Sequence, residues 1–436
     1  MSDHISDRIL RPDRRAVMAG LAAAALQGPG GATAAETQLA LRCRDEQLAL
    51  REKEPATPVW SLGGEVLRFE RGDRVDVSLA NERSGPVVLN WRGIDGAATF
   101  EPLLARAPLA SSASDRSQLS LRHAGTCLCD AALLGDGAAR PFRALPLIVR
   151  ENETVQVDRD ETLLIEGWRL KADGAAIAPG TDPAGTAAVY TVNGELAQDI
   201  TVRPRERLRL RFINALPRQV IALKIEQRDV TMMALDSQPA EPFLARNGAF
   251  ALAPGGRADV FVDAAPGSGA SQILMHDGEA VRPVARLIVS DDAPVRKESL
   301  PPPPPLPSNG LPAHLDLKSA LRVELPFAGE AKDWLRPTAF AATSLPAFRA
   351  KAGRIVVLSL INRAQTTAVF HVHGHHFRLL DRLDDGWKPF WLDTIAIDAG
   401  QTQRIAFAAE YAGRWLIEAA EAEWKAPKLL RWFGVD

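Results

Sequence analysis

Short runs in which apolar and polar residues alternate cover the chain from Trp60 to its C-terminus. A period of two is typical of β-strands that bury one face. Glycine, proline, asparagine and aspartate separate the runs, and no long stretch has the apolar spacing of an amphipathic helix. The clearest predicted strands are Val66–Phe69, Val75–Leu79, Val87–Leu89, Leu145–Val149, Leu163–Ile165, Ala188–Val192, Leu208–Ile213, Val260–Val262, Leu287–Val289 and Ile355–Ile361. This pattern predicts an all-β protein built from sandwich domains.

The strand pattern passes through three cycles that share one local scheme. Each cycle contains a turn, then an arginine, then a strand that ends at an asparagine, and these asparagines are Asn81, Asn214 and Asn362. Because the repeat is well over a hundred residues long, it indicates duplicated domains rather than a solenoid.

The repeat divides the chain into three predicted β-sandwich domains. We predict that they occupy residues 35–150, 151–295 and 316–436. Residues 296–315 contain a run of prolines between Leu300 and Leu306, which predicts a stiff, extended linker.

A histidine-rich stretch, Phe370–Phe377, contains four of the eight histidines of the chain. Apolar alternation on both sides predicts that it is a strand, on which His371, His373 and His375 share one face and His376 lies on the other. Imidazoles that converge from one strand are typical ligands of copper, zinc or iron. The alternatives are a surface histidine cluster and a hydrogen-bonded pair of core histidines.

The charge of the chain gives no indication of a nucleic acid or an anionic membrane as partner, because the formal net charge is −2. Hydrophobic residues at 46% and charged residues at 24% are typical of a globular protein. No apolar run approaches the roughly 20 residues that a membrane-spanning helix needs.

The N-terminal segment resembles an export signal. Arg14-Arg15 precedes the mildly apolar run Ala16–Leu26, and Ala32-Thr33-Ala34 matches a small-residue cleavage site. We interpret residues 1–34 as a twin-arginine signal peptide and expect a periplasmic mature protein. A disordered basic terminus and a Sec signal are the alternatives.

Three cysteines remain in the predicted mature chain: Cys43, Cys127 and Cys129. An oxidising compartment permits one disulfide between Cys43 and either of the other two, and the sequence does not choose between them. Cys127 and Cys129 share a predicted strand face, which a soft metal could use, but we expect a buried structural pair rather than a sulfur metal site.

Several motifs resemble those of the multicopper oxidases. Besides the predicted sandwiches and the leader, they are Arg211–Asn214, Ala234–Pro239, Ala253–Asp259 and the histidine-rich stretch. The resemblance extends over nearly the whole mature chain and implies three consecutive cupredoxin-like Greek-key sandwiches. It also implies an ancestor with a mononuclear copper in the third domain and a trinuclear copper cluster between the first and third.

The family draws its copper ligands from four short motifs, and most of the equivalent positions here lack a ligand. Only His371 and His373 match; the others are Asn90, Arg92, Asp130, Ala132, Ala368, Glu418, Ala419, Ala420, Trp424 and Leu429. The resemblance therefore implies a copper-ligand-deficient member. Without a mononuclear centre, electrons from a substrate have no entry point, so we expect no catalytic residues and no oxidase activity.

At the former cluster position we predict a polar network of Asn90, Arg92, Asp130, His371, His373 and Glu418. Arg92 is expected to bridge Asp130 and Glu418, because buried charges need partners. The alternative is a remnant site in which His371 and His373, with Asp130 and Glu418, bind copper or another divalent metal. Arg92 argues against that alternative, since a guanidinium keeps its charge.

The motifs together predict an exported, non-catalytic binding or structural protein with no cofactor and with a protein partner in the cell envelope. The family's copper-free bacterial member, which supports cell division, is the nearest analogy. A residual or repurposed metal-dependent oxidase and a periplasmic copper-handling protein are the alternatives. The low methionine count of 5 argues against copper handling.

Overall fold

The computed structural model describes residues 36–51, 54–329, 332–380 and 388–436. Strands dominate this part of the chain, and its helices are short 3-10 segments at Ala98–Phe100, Ala132–Leu134, Arg246–Gly248 and Pro337–Ala339. Six main sheets form three consecutive β-sandwiches, each with its own apolar core, so the predicted all-β fold is confirmed. The predicted leader, residues 1–34, lies outside the described residues.

The first sandwich consists of β1 Glu36–Leu48, β2 Thr57–Ser61, β3 Leu67–Glu70, β4 Arg74–Asn81, β5 Asn90–Arg92, β6 Ser114–Ser120, β7 Gly125–Asp130 and β8 Leu145–Arg150. The sheets have the spatial orders β2-β1-β4-β6 and β3-β8-β7-β5. The prediction of a strand at Val87–Leu89 was wrong, because Val87 makes a single bridge to Leu109 there.

The second sandwich consists of β9 Arg159–Leu170, β10 Ala187–Val192, β11 Gln198–Val202, β12 Arg207–Asn214, β13 Ile221–Ile225, β14 Thr231–Leu235, β15 Gln238–Leu244, β16 Ala249–Leu252, β17 Arg257–Asp263, β18 Gly269–His276 and β19 Val281–Val289. Its sheets run β10-β9-β12-β17-β14-β15 and β11-β19-β18-β13-β16. Strand β12 is buried along its whole length, including three arginines that are paired with acidic side chains.

The third sandwich consists of β20 Leu321–Phe327, β21 Arg349–Ala350, β22 Arg354–Asn362, β23 Ala368–Val372, β24 Arg378–Leu379, β25 Thr394–Ile397, β26 Thr402–Ala409, β27 Gly413–Glu421 and β28 Leu429–Val435. Its sheets run β20-β22-β26-β24 and β21-β28-β27-β23-β25. Strands β23 and β27 are adjacent, and they carry the motif residues His371 and Glu418.

A buried asparagine ends the equivalent strand of each sandwich and fixes the loop that follows. Asn81, Asn214 and Asn362 lie at the ends of β4, β12 and β22. Each side-chain oxygen accepts a hydrogen bond from the backbone N–H two residues on, at 3.1, 3.0 and 2.9 Å. Each side-chain amide donates to carbonyls of the next loop and of a distant segment. The repeat seen in the sequence is thus a repeated structural corner.

The predicted linker, residues 296–315, has no helix or strand and packs against the first and second sandwiches. The Asn309 side chain accepts from the Ala124 N–H over 2.9 Å and donates to the Ala124 carbonyl over 2.8 Å, and the Pro301 carbonyl accepts from Arg207. Within the part of the chain that the structure describes, no helix is both long and apolar enough to cross a bilayer.

The three cysteines are buried free thiols, so the disulfide that an oxidising compartment would permit is absent from the structure. Burial raises the pKa of Cys43 to about 12 and that of Cys127 to about 11. Both thiols pack in the apolar core of the first sandwich, together with Cys129. The interpretation of the cysteines as buried structural residues fits this packing better than a crosslink does.

Candidate functional site at the junction of the first and third sandwiches

Four strands bring the predicted network residues together. Asn90 and Asp130 are cross-strand partners on β5 and β7, and Arg92 lies two residues beyond Asn90 on the same strand. In the third sandwich, His371 and Glu418 are partners on β23 and β27. All of the predicted network residues are buried. Residues from two sequence-distant pairs of strands therefore form one site.

The Arg92 guanidinium bridges carboxylates from the two sandwiches. Its Nε donates to Asp130 Oδ2 over 2.9 Å, and its Nη2 donates to Glu418 Oε2 over 2.7 Å. The three side chains are between 5% and 9% exposed. Hydrogen bonds between ionised partners are about twice as strong as neutral ones, and here little water competes with them.

Glu418 is the acceptor on which the network converges. Its Oε1 accepts from Asn90 Nδ2 over 2.8 Å and from His373 Nε2 over 2.9 Å. Its Oε2 accepts from Arg92 and also from Lys428 Nζ, which lies 2.9 Å away. Burial alone would raise the pKa of Glu418, but Arg92, Lys428 and His373 hold that pKa well below its usual range. Glu418 is therefore ionised.

Both ring nitrogens of His373 contact carboxylates. Its Nδ1 lies 2.9 Å from Glu101 Oε1, and its Nε2 lies 2.9 Å from Glu418 Oε1. Because an ionised carboxylate only accepts hydrogen bonds, both nitrogens carry protons. Burial alone would lower the pKa of His373, but Glu101 and Glu418 raise it to about 9. At neutral pH His373 is an imidazolium and has no lone pair for a metal.

His371 is neutral, in contrast to His373. Its Nδ1 lies 3.0 Å from the Asp393 carbonyl oxygen and 3.0 Å from Thr394 Oγ1. The Thr394 hydroxyl donates its proton to Asp393 Oδ1 over 2.7 Å, so both neighbours of Nδ1 are acceptors and Nδ1 carries the proton. Burial, and then the charge of Arg92, lower the pKa of His371 to about 4. Its Nε2 is consequently an unprotonated acceptor.

Two members of the site, Glu101 and Lys428, were missed by the sequence analysis. Glu101 follows the 3-10 turn Ala98–Phe100, and its Oε1 also accepts from the Leu416 N–H over 2.8 Å. Lys428 precedes β28 and contacts Glu418 Oε2, whereas His373 contacts Oε1. Neither residue belongs to a ligand motif. With them, the cations Arg92, Lys428 and His373 balance the carboxylates of Asp130, Glu418 and Glu101.

Family comparisons agree with this architecture. A multicopper oxidase family model matches residues 151–280, and a second one matches residues 314–435, so together they cover more than half of the chain. The chain belongs to the multicopper oxidase superfamily. Its sequence is also 27% identical over 227 residues to Laccase-3 of Oryza sativa subsp. japonica, a match that covers 47% of this chain and 40% of the laccase.

Solved multicopper oxidases share the fold over nearly the whole chain. The enzyme from Pseudomonas thermotolerans superposes with a TM-score of 0.79 at 22% identity, covering 93% of this chain and 100% of that one. Lac15 from a marine microbial metagenome superposes with a TM-score of 0.75 at 23% identity, covering 92% of this chain and 100% of Lac15. Fet3p, a multicopper oxidase that functions in iron import, superposes with a TM-score of 0.72 at 15% identity, covering 92% of this chain and 91% of Fet3p.

The positions that the sequence analysis matched to the mononuclear copper centre carry no side chain that could bind copper. Ala368 and Ala419 are buried in the apolar core of the third sandwich, and Leu429 packs against it. Trp424 uses its ring nitrogen to donate to the Ala178 carbonyl over 3.1 Å. None of these side chains offers the thiolate or imidazole that a mononuclear copper needs.

At the cluster position of this multicopper oxidase homologue, three groups come within range of one ion. Ligand atoms of His371, His373 and Glu418 lie within 4.8 Å of one another. Asp130, which the sequence analysis added to this set, is instead held on Arg92. Because His373 is protonated on both nitrogens, a metal would have to displace its proton and break an ion pair to Glu101 or Glu418.

The histidine-rich stretch does not continue as a strand, contrary to the prediction. Strand β23 ends at Val372, and Gly374 turns the chain with φ +66°; an added Cβ there would overlap the ring of Trp415. His375 therefore leaves the face of His371 and lies among aromatic rings, where burial lowers its pKa to about 4. The predicted common face of three histidines was wrong.

His376 belongs to a second buried network, which sequence analysis also missed. Its Nδ1 lies 2.8 Å from both oxygens of Asp95, and these contacts raise the pKa of His376 to about 9 although burial opposes this. Arg257 nearby donates to both oxygens of Asp393, over 3.0 and 2.7 Å, joining the second sandwich to the third. The Asp393 backbone N–H donates to Asp236 Oδ2 over 3.1 Å. The three sandwiches are thus joined by buried charges.

A cavity of about 110 Å³ opens beside the first network. Arg92, Asp130, His371 and Glu418 form its inner wall. Its other walls come from all three sandwiches. Through this cavity the network contacts solvent.

Proposed function

We propose that this protein is an exported, copper-free multicopper oxidase homologue that acts as a non-catalytic binding or structural protein of the cell envelope. The contacts of His373 carry this proposal. Its two nitrogens are saturated by Glu101 and Glu418, and the Arg92 guanidinium lies on the other oxygen of Glu418. A metal would have to compete with three fixed cations for the same carboxylates.

Charge balance supports the same proposal. An unpaired buried charge costs several kcal/mol, and removing a proton from His373 to admit a metal takes away the positive charge that Glu101 and Glu418 share. Arg92 cannot relieve this by losing its own proton. The network therefore holds the first and third sandwiches together in place of a metal cluster.

A metal-dependent oxidase or copper-handling protein is the second candidate. The observation that favours it is the proximity of His371, His373 and Glu418, whose ligand atoms lie within 4.8 Å of one another. Such a site requires His373 to give up a proton, so metal binding would strengthen as the pH rises.

Copper reconstitution tests the two candidates. The mature protein is exported in copper-supplemented cells, dialysed, and analysed for metal content, visible absorption and oxygen consumption with a phenolic donor. A laccase treated in parallel is the positive control. We expect no stoichiometric copper, no blue absorption band and no oxygen uptake above buffer. Stoichiometric copper with oxygen uptake would overturn the proposal.

Export and partnership form the remaining part of the proposal, and they are tested in cells. Replacing Arg14 and Arg15 together by lysine should retain the protein in the cytoplasm, whereas the matched change Arg11→Lys should not. An unchanged periplasmic fraction of the double variant would contradict export by the twin-arginine route. Affinity capture from the native periplasm, followed by cross-linking, tests for an envelope protein partner.

A further inference from the structure

The cavity beside the network lies where the three sandwiches meet and has a volume of about 110 Å³. One water molecule needs roughly 10 to 15 Å³ of this kind of free volume, so the space holds several waters or a small organic molecule. Phe142, Arg143 and Lys428 are only partly buried and form its outer rim, whereas Trp168 and His371 lie deeper. A ligand can therefore enter from solvent.

Apolar side chains form much of the cavity wall. The apolar lining residues come from all three sandwiches, and they are Leu128, Phe142, Trp168, Leu216 and Val369. The Trp168 ring nitrogen donates to Thr191 Oγ1 over 3.0 Å, so this side chain has no donor left for a ligand. The wall thus favours an apolar, ring-sized body.

The charged side chains of the wall are already paired with one another. Arg143 Nε donates to Glu166 over 2.8 Å, and Arg218 Nη2 donates to Asp136 over 2.6 Å. Arg92 is held between two carboxylates. An ionic ligand would have to break one of these pairs, so the cavity favours an uncharged one.

His371 supplies an unused acceptor to the inner wall. His371 is 4% exposed, and its Nδ1 is fixed to the Asp393 carbonyl and Thr394, so Nε2 is the unprotonated nitrogen of a ring that lines the cavity. Among the described residues the structure shows no hydrogen-bond partner for Nε2. Because this nitrogen belongs to a ring that lines the cavity and has no partner there, a donor on a ligand would gain a hydrogen bond to it.

We propose that this cavity binds a neutral organic molecule with an apolar ring and one N–H or O–H donor, which donates to His371 Nε2. This inference rests on the proposed function, because a copper ion bound to His371 would occupy the same lone pair. The aromatic and proline-rich wall positions the ring, and the single acceptor sets its orientation.

Calorimetric titration of the metal-free mature protein with two probes of equal shape tests the proposal. Indole carries one N–H donor, whereas benzofuran has an ether oxygen in its place. We expect indole to bind about tenfold more tightly, the effect of one buried hydrogen bond. Absence of indole binding would overturn the proposal, and so would equal affinity for the two probes.

Two variants and one control locate the binding site. Ala420→Leu fills the cavity from β27 and should abolish binding of both probes, while Ala251→Leu, at an exposed position outside the cavity, should leave both unchanged. His371→Phe should reduce indole affinity about tenfold and leave benzofuran affinity unaffected. If His371→Phe does not fold, the probe pair and Ala420→Leu still decide the question. Indole binding that survives Ala420→Leu would place it elsewhere and overturn the assignment.

The outcomes separate this inference from the proposed function. Copper in the reconstituted protein contradicts the copper-free function whatever indole does. Failure of a copper-free protein to bind indole overturns the ligand assignment alone.

Discussion

Arg92 reaches from β5 of the first sandwich to Glu418 on β27 of the third, with Nη2 and Oε2 2.7 Å apart. Both residues stand at positions that the motif comparison matches to copper ligands of the family. The ion pair links the first and third sandwiches, and the predictions below test the proposal that a network takes the place of a metal there.

Removal of the guanidinium should destabilise the protein strongly. Arg92→Ala leaves Asp130 and Glu418 buried without their shared cation, and we expect a loss of about 3 to 5 kcal/mol in the free energy of unfolding. Denaturant titration measures it. The matched control Arg286→Ala breaks an exposed pair with Asp199 and should have a much smaller effect on the free energy of unfolding. Equal effects of the two changes would contradict the buried bridge.

Stability should fall with rising pH in a window set by His373. Its folded-state pKa of about 9 lies above the ordinary value of 6.5, so its contribution is fully present below pH 6.5 and is lost as the pH rises through 9. A pKa difference of this size corresponds to a loss on the order of 3 kcal/mol in the free energy of unfolding. Unfolding is to be measured from pH 6 to 10.

Substitution separates His373 from other titrating groups in that window. His373→Gln should flatten the alkaline decline, and adding His376→Gln should flatten it further, because the pKa of His376 is also about 9. His276→Gln, at an exposed histidine, should leave the profile unchanged. An undiminished decline in the double variant would exclude both histidines as its source.

The turn after β23 should be intolerant of a side chain. Gly374→Ala adds a Cβ that overlaps the Trp415 ring, whereas Gly353→Ala adds one in open space at a similar positive φ. The second change measures the conformational cost, so the difference between the variants reports the clash. We expect Gly374→Ala to be worse by about 1 to 3 kcal/mol in thermal unfolding. No difference would mean that the Trp415 ring yields freely.

Sequence reasoning located Arg92, Asp130 and Glu418 because each stands at a ligand position of a motif, and motif positions converge when the fold is retained. Glu101 and Lys428 reach the site from a loop and from the residue before β28, where no motif or periodicity marks them. Their roles depend on how the sandwiches pack. A charge count at the predicted site was the available signal, since two carboxylates beside one arginine leave a negative excess.

Local patterns predicted strands better than they predicted where strands end. The alternation through Phe370–Phe377 suggested one continuous strand, but Gly374 takes a left-handed conformation and redirects His375 into the aromatic core. Val87 pairs with Leu109 at one isolated bridge, and the next strand, β5, begins only at Asn90. In both places alternation indicated extended chain but not the residues at which a strand begins and ends.

Thermal unfolding of the mature protein with chelator, zinc or copper tests the replacement of metal by the ion-pair network most directly. The parent and the double variant His371→Gln, His373→Gln are compared under each condition. We expect no metal to raise the unfolding temperature of either protein. A metal bound to the folded state alone would add about 2.7 kcal/mol at a hundredfold excess over its Kd. Metal-dependent stabilisation of the parent, absent from the double variant, would contradict the replacement of a metal by the ion-pair network.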